Sequence, residues 1–139
     1  MIARDLMTPD PETVTPEASI AEVWDLMREL DVRHVPVVRG GMLVGMLSDR
    51  DLAHLDVGRV LTVEGAEALR RELTTPVVKV MSSDVICAEP ETELSDVVGL
   101  LLEHKIGALP VVRPDTREVV GIISYVDVLR ALRDLLEEG

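Results

Sequence analysis

A chain of 139 residues with 47% apolar residues suits one compact domain, and with 1% aromatics its core has to be aliphatic. A formal net charge of −12 repels phosphodiester backbones, and only Trp24 and Tyr125 are available to stack bases, so no nucleic-acid partner is expected. Cys87 stands alone, no Cys/His cluster has metal-ligand spacing, the opening MIARDLMTPD lacks an apolar signal stretch, and no apolar run approaches the roughly 18 residues of a membrane span. The expectation is a cytoplasmic protein with no disulfide, no metal and no membrane partner.

Pro9 and Pro11 predict an extended opening. Thr13-Val14 is a short β-prone step before the turn Thr15-Pro16. Ser19 then precedes Ile20, Val23, Trp24, Met27 and Leu30, the spacing of a helical apolar stripe. Val35-Pro36-Val37-Val38 and residues 42–47 are β-prone runs joined across Arg39-Gly40-Gly41, which reads as a hairpin. Pro36 marks a strand start or an unpaired edge, because it has no N–H to give a ladder. Ser48-Asp49-Arg50-Asp51 opens a second helix through Leu52 and Leu55. A variable connector follows, with a helical turn or two over residues 64–73. Residues 85–88 then form a strand, and Leu94, Val97, Val98, Leu101 and Ile106 a helical stripe. A second hairpin runs through residues 109–112 and 119–123 with a longer turn at Pro114 and Asp115. The last helix carries Leu129, Leu132, Leu135 and Leu136.

The order strand, helix, strand, strand, helix occurs twice, and so do the residues. Residues 7–39 align with 81–113 without a gap at an offset of 74. Met7 meets Met81, Pro16-Glu17 meets Pro90-Glu91, and Pro36-Val37-Val38-Arg39 meets Pro110-Val111-Val112-Arg113. After a two-residue insertion, Gly45-Met46-Leu47-Ser48-x-x-Asp51 meets Gly121-Ile122-Ile123-Ser124-x-x-Asp127. A repeat this long is a whole supersecondary unit. The boundaries expected are 1–57 for repeat 1, 58–76 for the connector and 77–139 for repeat 2.

The ordered motifs M-[ST], P, helix, PVV, turn and G-h-h-S-x-x-D, present twice from about Arg4 to about Arg133, resemble the tandem cystathionine β-synthase (CBS) domain pair. The resemblance implies an α/β fold, two β-α-β-β-α half-domains packed about a pseudo-twofold axis. It implies a stand-alone, non-enzymatic regulatory module that binds an adenosine-containing ligand, AMP, ADP, ATP or S-adenosylmethionine, in the cleft between the repeats. It also implies a homodimer and an unidentified regulated protein. The alternative is a structural or protein-interaction dimerisation module without a bound nucleotide. No Ser–His–Asp order, Cys–His pair or Walker-type loop points to catalysis.

The same resemblance assigns candidate residues. Ser48 and Ser124 fit helix N-caps, and in the family this hydroxyl faces phosphate. Asp51 and Asp127 fit first-turn acids, and in the family this Asp holds the ribose. Cap and ligand roles are compatible. Thr13, Val14, Cys87 and Ala88 are short strand residues, and in the family this edge lines the adenine pocket. Arg33 and His34 are a solvated pair at a helix–strand corner or, by the resemblance, phosphate contacts; their counterparts are Gly107 and Ala108. That break in the symmetry predicts two unequal sites. Lys79 is a lesser phosphate candidate. His54 and His104 are expected on helix surfaces, Trp24 in the core, and Met7 and Met81 as filler.

Overall fold

The computed structural model describes residues 1–53 and 61–138. In chain order these form α1 (Ala3–Leu6), β1 (Thr8–Pro9), α2 (Ile20–Leu30), β2 (His34–Arg39), β3 (Met42–Ser48) and a 3-10 turn (Asp49–Leu52). There follow α3 (Val63–Leu73), a second 3-10 turn (Val77–Lys79), α4 (Leu94–His104), β4 (Ala108–Val112), β5 (Val119–Ser124) and α5 (Tyr125–Glu138). Strands β2 and β3 pair as a two-stranded sheet, and β1, β5 and β4 form a three-stranded one in that order. The α/β architecture read from the sequence is present.

The first strand of each repeat is shorter than expected. Only Val14 and Ala88 bridge, parallel to Val37 and Val111. Val14 N–H donates to Pro36 C=O at 3.1 Å and Val38 N–H to Val14 C=O at 2.8 Å. Ala88 repeats this with Pro110 and Val112 at 3.0 and 2.9 Å. Pro36 sits in β2 on the side that meets only Val14. A missing N–H is tolerated there because that side carries no continuous ladder. The helix expected from Ser48 through Leu55 is a 3-10 turn as far as Leu52; Leu55 and His54 lie outside the described residues.

The chain divides into two compact units, residues 1–11, 40–43 and 84–139 (unit 1) and residues 12–39 and 44–83 (unit 2). Each unit is most of one repeat plus the lead-in of the other. In unit 1, Leu94 N–H donates to Met1 C=O at 2.9 Å and Ala3 N–H to Thr92 C=O at 2.7 Å. In unit 2, Ile20 N–H donates to Thr75 C=O at 3.0 Å and Val77 N–H to Ala18 C=O at 2.8 Å. These bonds superpose at the same offset of 74, so the structural repeat begins at Met1 and Thr75, upstream of any matching residues. β1 pairs with β5 through Thr8 and Ile122, and Ser82 bridges Met46 in the equivalent place.

That exchange explains both repeat methionines and both motif glycines. Met7 lies over Gly121 and Met81 over Gly45, so that a Cβ on either glycine would overlap the sulfur. The core of unit 2 gathers Ile20, Val23, Met27, Val35, Val37, Leu47, Leu52 and Val77, with Trp24 packed against it. The core of unit 1 gathers Ala3, Leu6, Ala88, Val97, Leu101, Leu109, Val111, Ile123 and Val128. Both are aliphatic, as the composition requires.

Candidate functional site

The Ser-x-x-Asp motif sits where a strand turns into a helix in each unit. Ser48 ends β3, and its N–H donates to Asp51 Oδ2 at 2.8 Å while its hydroxyl lies 3.3 Å from the same oxygen. Ser124 ends β5 and repeats the arrangement with Asp127 Oδ2 at 2.9 and 3.1 Å. The carboxylate thus reaches back to an orphan backbone donor of the first turn, which fixes its position. Oδ2 is engaged in both, and among the described residues Asp51 Oδ1 has no further partner. In Asp127, Oδ1 lies 3.5 Å from Arg130 Nη1. Both aspartates are half-buried. Each serine hydroxyl is turned onto its own Asp, so a phosphate contact requires it to rotate.

The short strands supply the second element. The backbone groups of Val14 and Ala88 are consumed by their parallel bridges. Those of Thr13 and Cys87 point the opposite way, because successive residues of an extended chain alternate. Among the described residues they have no protein partner. Thr13 and Cys87 therefore offer free donors and acceptors, whereas Val14 and Ala88 offer only side chains.

The third element is the corner before the central strand. Asp49 N–H donates to Arg33 C=O at 2.9 Å, and Tyr125 N–H to Gly107 C=O at 3.0 Å. This bond ties the Ser-x-x-Asp turn to the residue preceding β2 or β4. It brings Arg33 and His34 to the side of Asp49, Arg50 and Asp51. Arg33 is exposed and His34 half-buried. Burial pushes the His34 imidazole below its usual value; attraction to Asp49 and Asp51 opposes this, and Arg33 and Arg50 add to it. In unit 1 the positions matching Arg33, His34, Asp49 and Arg50 are Gly107, Ala108, Tyr125 and Val126, with Ala108 buried and Tyr125 and Val126 exposed.

A family model for the CBS domain matches residues 3–58 and again 77–134. The chain belongs to the CBS-domain family. It carries two copies, a tandem pair. The CBS domain-containing protein YhcV of Bacillus subtilis is 37% identical over 125 residues, 90% of this chain and 81% of that one. The structure of CBSX2 in complex with AMP matches with a TM-score of 0.80 and 30% identity over 96% of this chain and 97% of that one. The CBS domain pair of protein MJ0100, in complex with 5′-methylthioadenosine and S-adenosyl-L-methionine, matches with a TM-score of 0.77 and 25% identity over 96% and 97%. The chain also matches larger proteins, spanning 23% of the inosine-5′-monophosphate dehydrogenase of Korarchaeum cryptofilum.

In this CBS pair all six candidate residues of repeat 1 (Thr13, Val14, Arg33, His34, Ser48 and Asp51) fall in unit 2, and the four of repeat 2 (Cys87, Ala88, Ser124 and Asp127) in unit 1. Lys79 is exposed at the end of its 3-10 turn, and His104 is exposed at the last residue of α4. Burial raises the Cys87 thiol; Arg117 partly offsets this and Glu89 adds to it. Arg50 and Arg117 escaped the sequence reading. Arg50 was visible as a cation inside the Ser-x-x-Asp turn. Arg117 lies in the second hairpin turn, itself left-handed at φ 61°, and its charge acts on the Cys87 thiol. No group of three or more His, Cys, Asp or Glu among the described residues is placed to hold a metal. No described helix is long and apolar enough to cross a membrane.

Proposed function

We propose that this CBS pair is a regulatory, non-catalytic module that senses an adenosine-containing ligand. The observation that carries the proposal is the corner built twice: an Asp pinned through Oδ2 at the strand end, with Oδ1 directed elsewhere, and an unpaired backbone edge within one unit. A carboxylate oxygen accepts from vicinal ribose hydroxyls, as acidic residues do in dinucleotide folds. Asp51 and Asp127 take that role. The free backbone of Thr13 and Cys87 meets the base edge, with Val14 and Ala88 as aliphatic walls. Arg33 and His34 face phosphate, joined by the Ser48 hydroxyl once it rotates; Ser124 is the matching group in unit 1. AMP, 5′-methylthioadenosine and S-adenosylmethionine in structural neighbours support the ligand class. AMP, ADP, ATP and S-adenosylmethionine share the adenosine these residues address. Occupancy shifts the populations of the pair's conformations, and a regulated partner protein reads the shift.

The test is thermal denaturation and native mass spectrometry of the full chain with each of the four ligands. At least one should raise the melting temperature at millimolar concentration. Arg33→Ala should weaken AMP by about ten- to a hundred-fold, since charge-assisted bonds to phosphate are the strong ones. Absence of any shift with all four overturns the proposal.

A second copy of the chain is the proposed partner of α5. Leu129, Leu132 and Leu136 are 58%, 41% and 81% exposed on that helix. Arg130 and Arg133 precede Asp134, Glu137 and Glu138, so an antiparallel pairing of two α5 helices sets cations against acids. Leu132→Asp should convert a dimer to a monomer in light scattering. A wild-type monomer at micromolar concentration removes this part. Dimerisation without any ligand response would favour the interaction-module alternative.

A further inference from the structure

We infer that the two units select different classes of adenosine compound: unit 2 takes the 5′-phosphorylated ones, and unit 1 takes those whose 5′ group carries no negative charge. The inference rests on the proposed ribose role of Asp51 and Asp127. If the ribose is held there, its 5′ end faces the corner that the Arg33 or Gly107 carbonyl ties to the helix start. In unit 2 that corner holds Arg33, His34 and Arg50 alongside Asp49, so two cations and a donor against one acid are left to meet a phosphate dianion.

Unit 1 presents Gly107, Ala108, Tyr125 and Val126 instead. None of the four carries charge, while Asp127 remains. A phosphate held there finds no cation at these four positions, and Arg130 is already paired with Asp127 Oδ1. The nearby cations are placed for other work. Arg130 lies against Asp127 Oδ1 at 3.5 Å, and the charge of Arg117 acts on Cys87 rather than on the corner. Tyr125 and Val126 are 51% and 46% exposed, an apolar surface suited to a hydroxymethyl or thioether substituent. Substitution of all four corner positions, with the backbone bond between them kept, is a change of specificity on an unchanged frame.

The test is titration calorimetry with adenosine, 5′-methylthioadenosine and AMP on the full chain, using Asp51→Asn and Asp127→Asn. Asparagine keeps an oxygen that accepts the serine N–H, so both variants should melt close to wild type. The Asp127→Asn chain should keep AMP. The Asp51→Asn chain should keep adenosine or 5′-methylthioadenosine and bind AMP at least about ten-fold more weakly than either. Adding Gly107→Arg to Asp51→Asn should raise AMP affinity about ten-fold; Gly107 lacks a positive φ, so arginine fits its backbone. AMP binding as tightly as adenosine in Asp51→Asn overturns the inference. So does an Asp51→Asn chain that binds none of the three while wild type binds AMP, an outcome that leaves the proposed function of unit 2 standing. Failure of wild type to bind any of them removes both.

Discussion

Unit 1 and unit 2 share a frame and differ at one corner. The frame repeats wherever shape is demanding. Val35, Val37 and Leu47 in one core match Leu109, Val111 and Ile123 in the other. Both helices before the central strands end in a left-handed residue, Asp31 at φ 52° and Lys105 at φ 53°, and Val32 and Ile106 N–H reach back five residues in the same way. A negative residue matches a positive one there, so the fold specifies the backbone and not the charge. The corner shows the complement. Arg33, His34, Asp49 and Arg50 give way to Gly107, Ala108, Tyr125 and Val126 around an identical backbone bond. Residues that support packing are held by both copies, and the corner residues are free to diverge, which under the proposed function lets each copy differ in what it binds.

The largest test of the shared frame is its core. Leu47 and Ile123 are both 0% exposed at matching positions. Leu47→Ala and Ile123→Ala should each cost about 2–5 kcal/mol in urea denaturation. Costs that differ by more than about 2 kcal/mol would show that the two cores are not equivalent.

The motif glycines separate the units more finely. A Cβ on Gly45 would meet Met81 at its sulfur, Cγ (3.0 Å) and terminal methyl (3.1 Å). On Gly121 it would meet Met7 at its sulfur, Cγ (2.8 Å) and Cβ (3.0 Å). The tip of Met81 can swing aside, whereas Met7 has to move from its root. Gly121→Ala should therefore cost more than Gly45→Ala, within the roughly 1–3 kcal/mol of an overpacked site. The reverse order in thermal melts would place the slack in the other unit.

Much of this frame was legible in the sequence. The helical stripes, the hairpins and the Ser-x-x-Asp turns follow local rules of period and capping. The exchange of lead-ins was not, because Met1–Leu6 and Thr75–Val80 share no residues at the offset. Only their main-chain bonds coincide, and main-chain bonds leave no trace in side-chain identity. The first strands were overread because Thr13-Val14 and residues 85–88 are β-prone, yet each lies beside its sheet at one residue. Of the candidate site, the Ser-x-x-Asp aspartates and the Arg33-His34 asymmetry are visible in the sequence. It did not show that Val14 and Ala88 spend their backbone groups on the sheet. That followed from the bridge pattern, which fixes Thr13 and Cys87 as the residues with free groups.

A smaller asymmetry lies at the start of the long helices. Ser19 caps α2, its hydroxyl accepting from Glu22 N–H at 3.1 Å. Glu93, in the same extended conformation, gives α4 no side-chain cap. Ser19→Ala should cost about 1 kcal/mol, and Glu93→Ser should add about 0.5–1 kcal/mol by supplying a side-chain acceptor to Asp96 N–H, which now has only the Glu93 C=O at 3.0 Å. Equal and negligible effects in denaturant titrations would mean that the docked lead-ins, not the caps, hold both helix starts.

The subtlest difference titrates. His34 has Ala108 as its counterpart, so only unit 2 carries a proton switch at the corner. Burial lowers its native value from 6.5, against Asp49 and Asp51 and with Arg33 and Arg50. The unfolded chain then binds the proton more readily than the native one. Its contribution is fully present above pH 6.5 and is lost as pH falls from there through the lowered native value. Urea stability measured from pH 7.5 to 5 should fall more in wild type than in His34→Ala. A phosphate beside the imidazole favours the charged form, so AMP binding should take up a proton and tighten over the same range. Adenosine, without a phosphate, should show no such gain. Opposite pH slopes for the free protein and for AMP affinity would place His34 at the phosphate, and parallel slopes would leave it a buried corner residue.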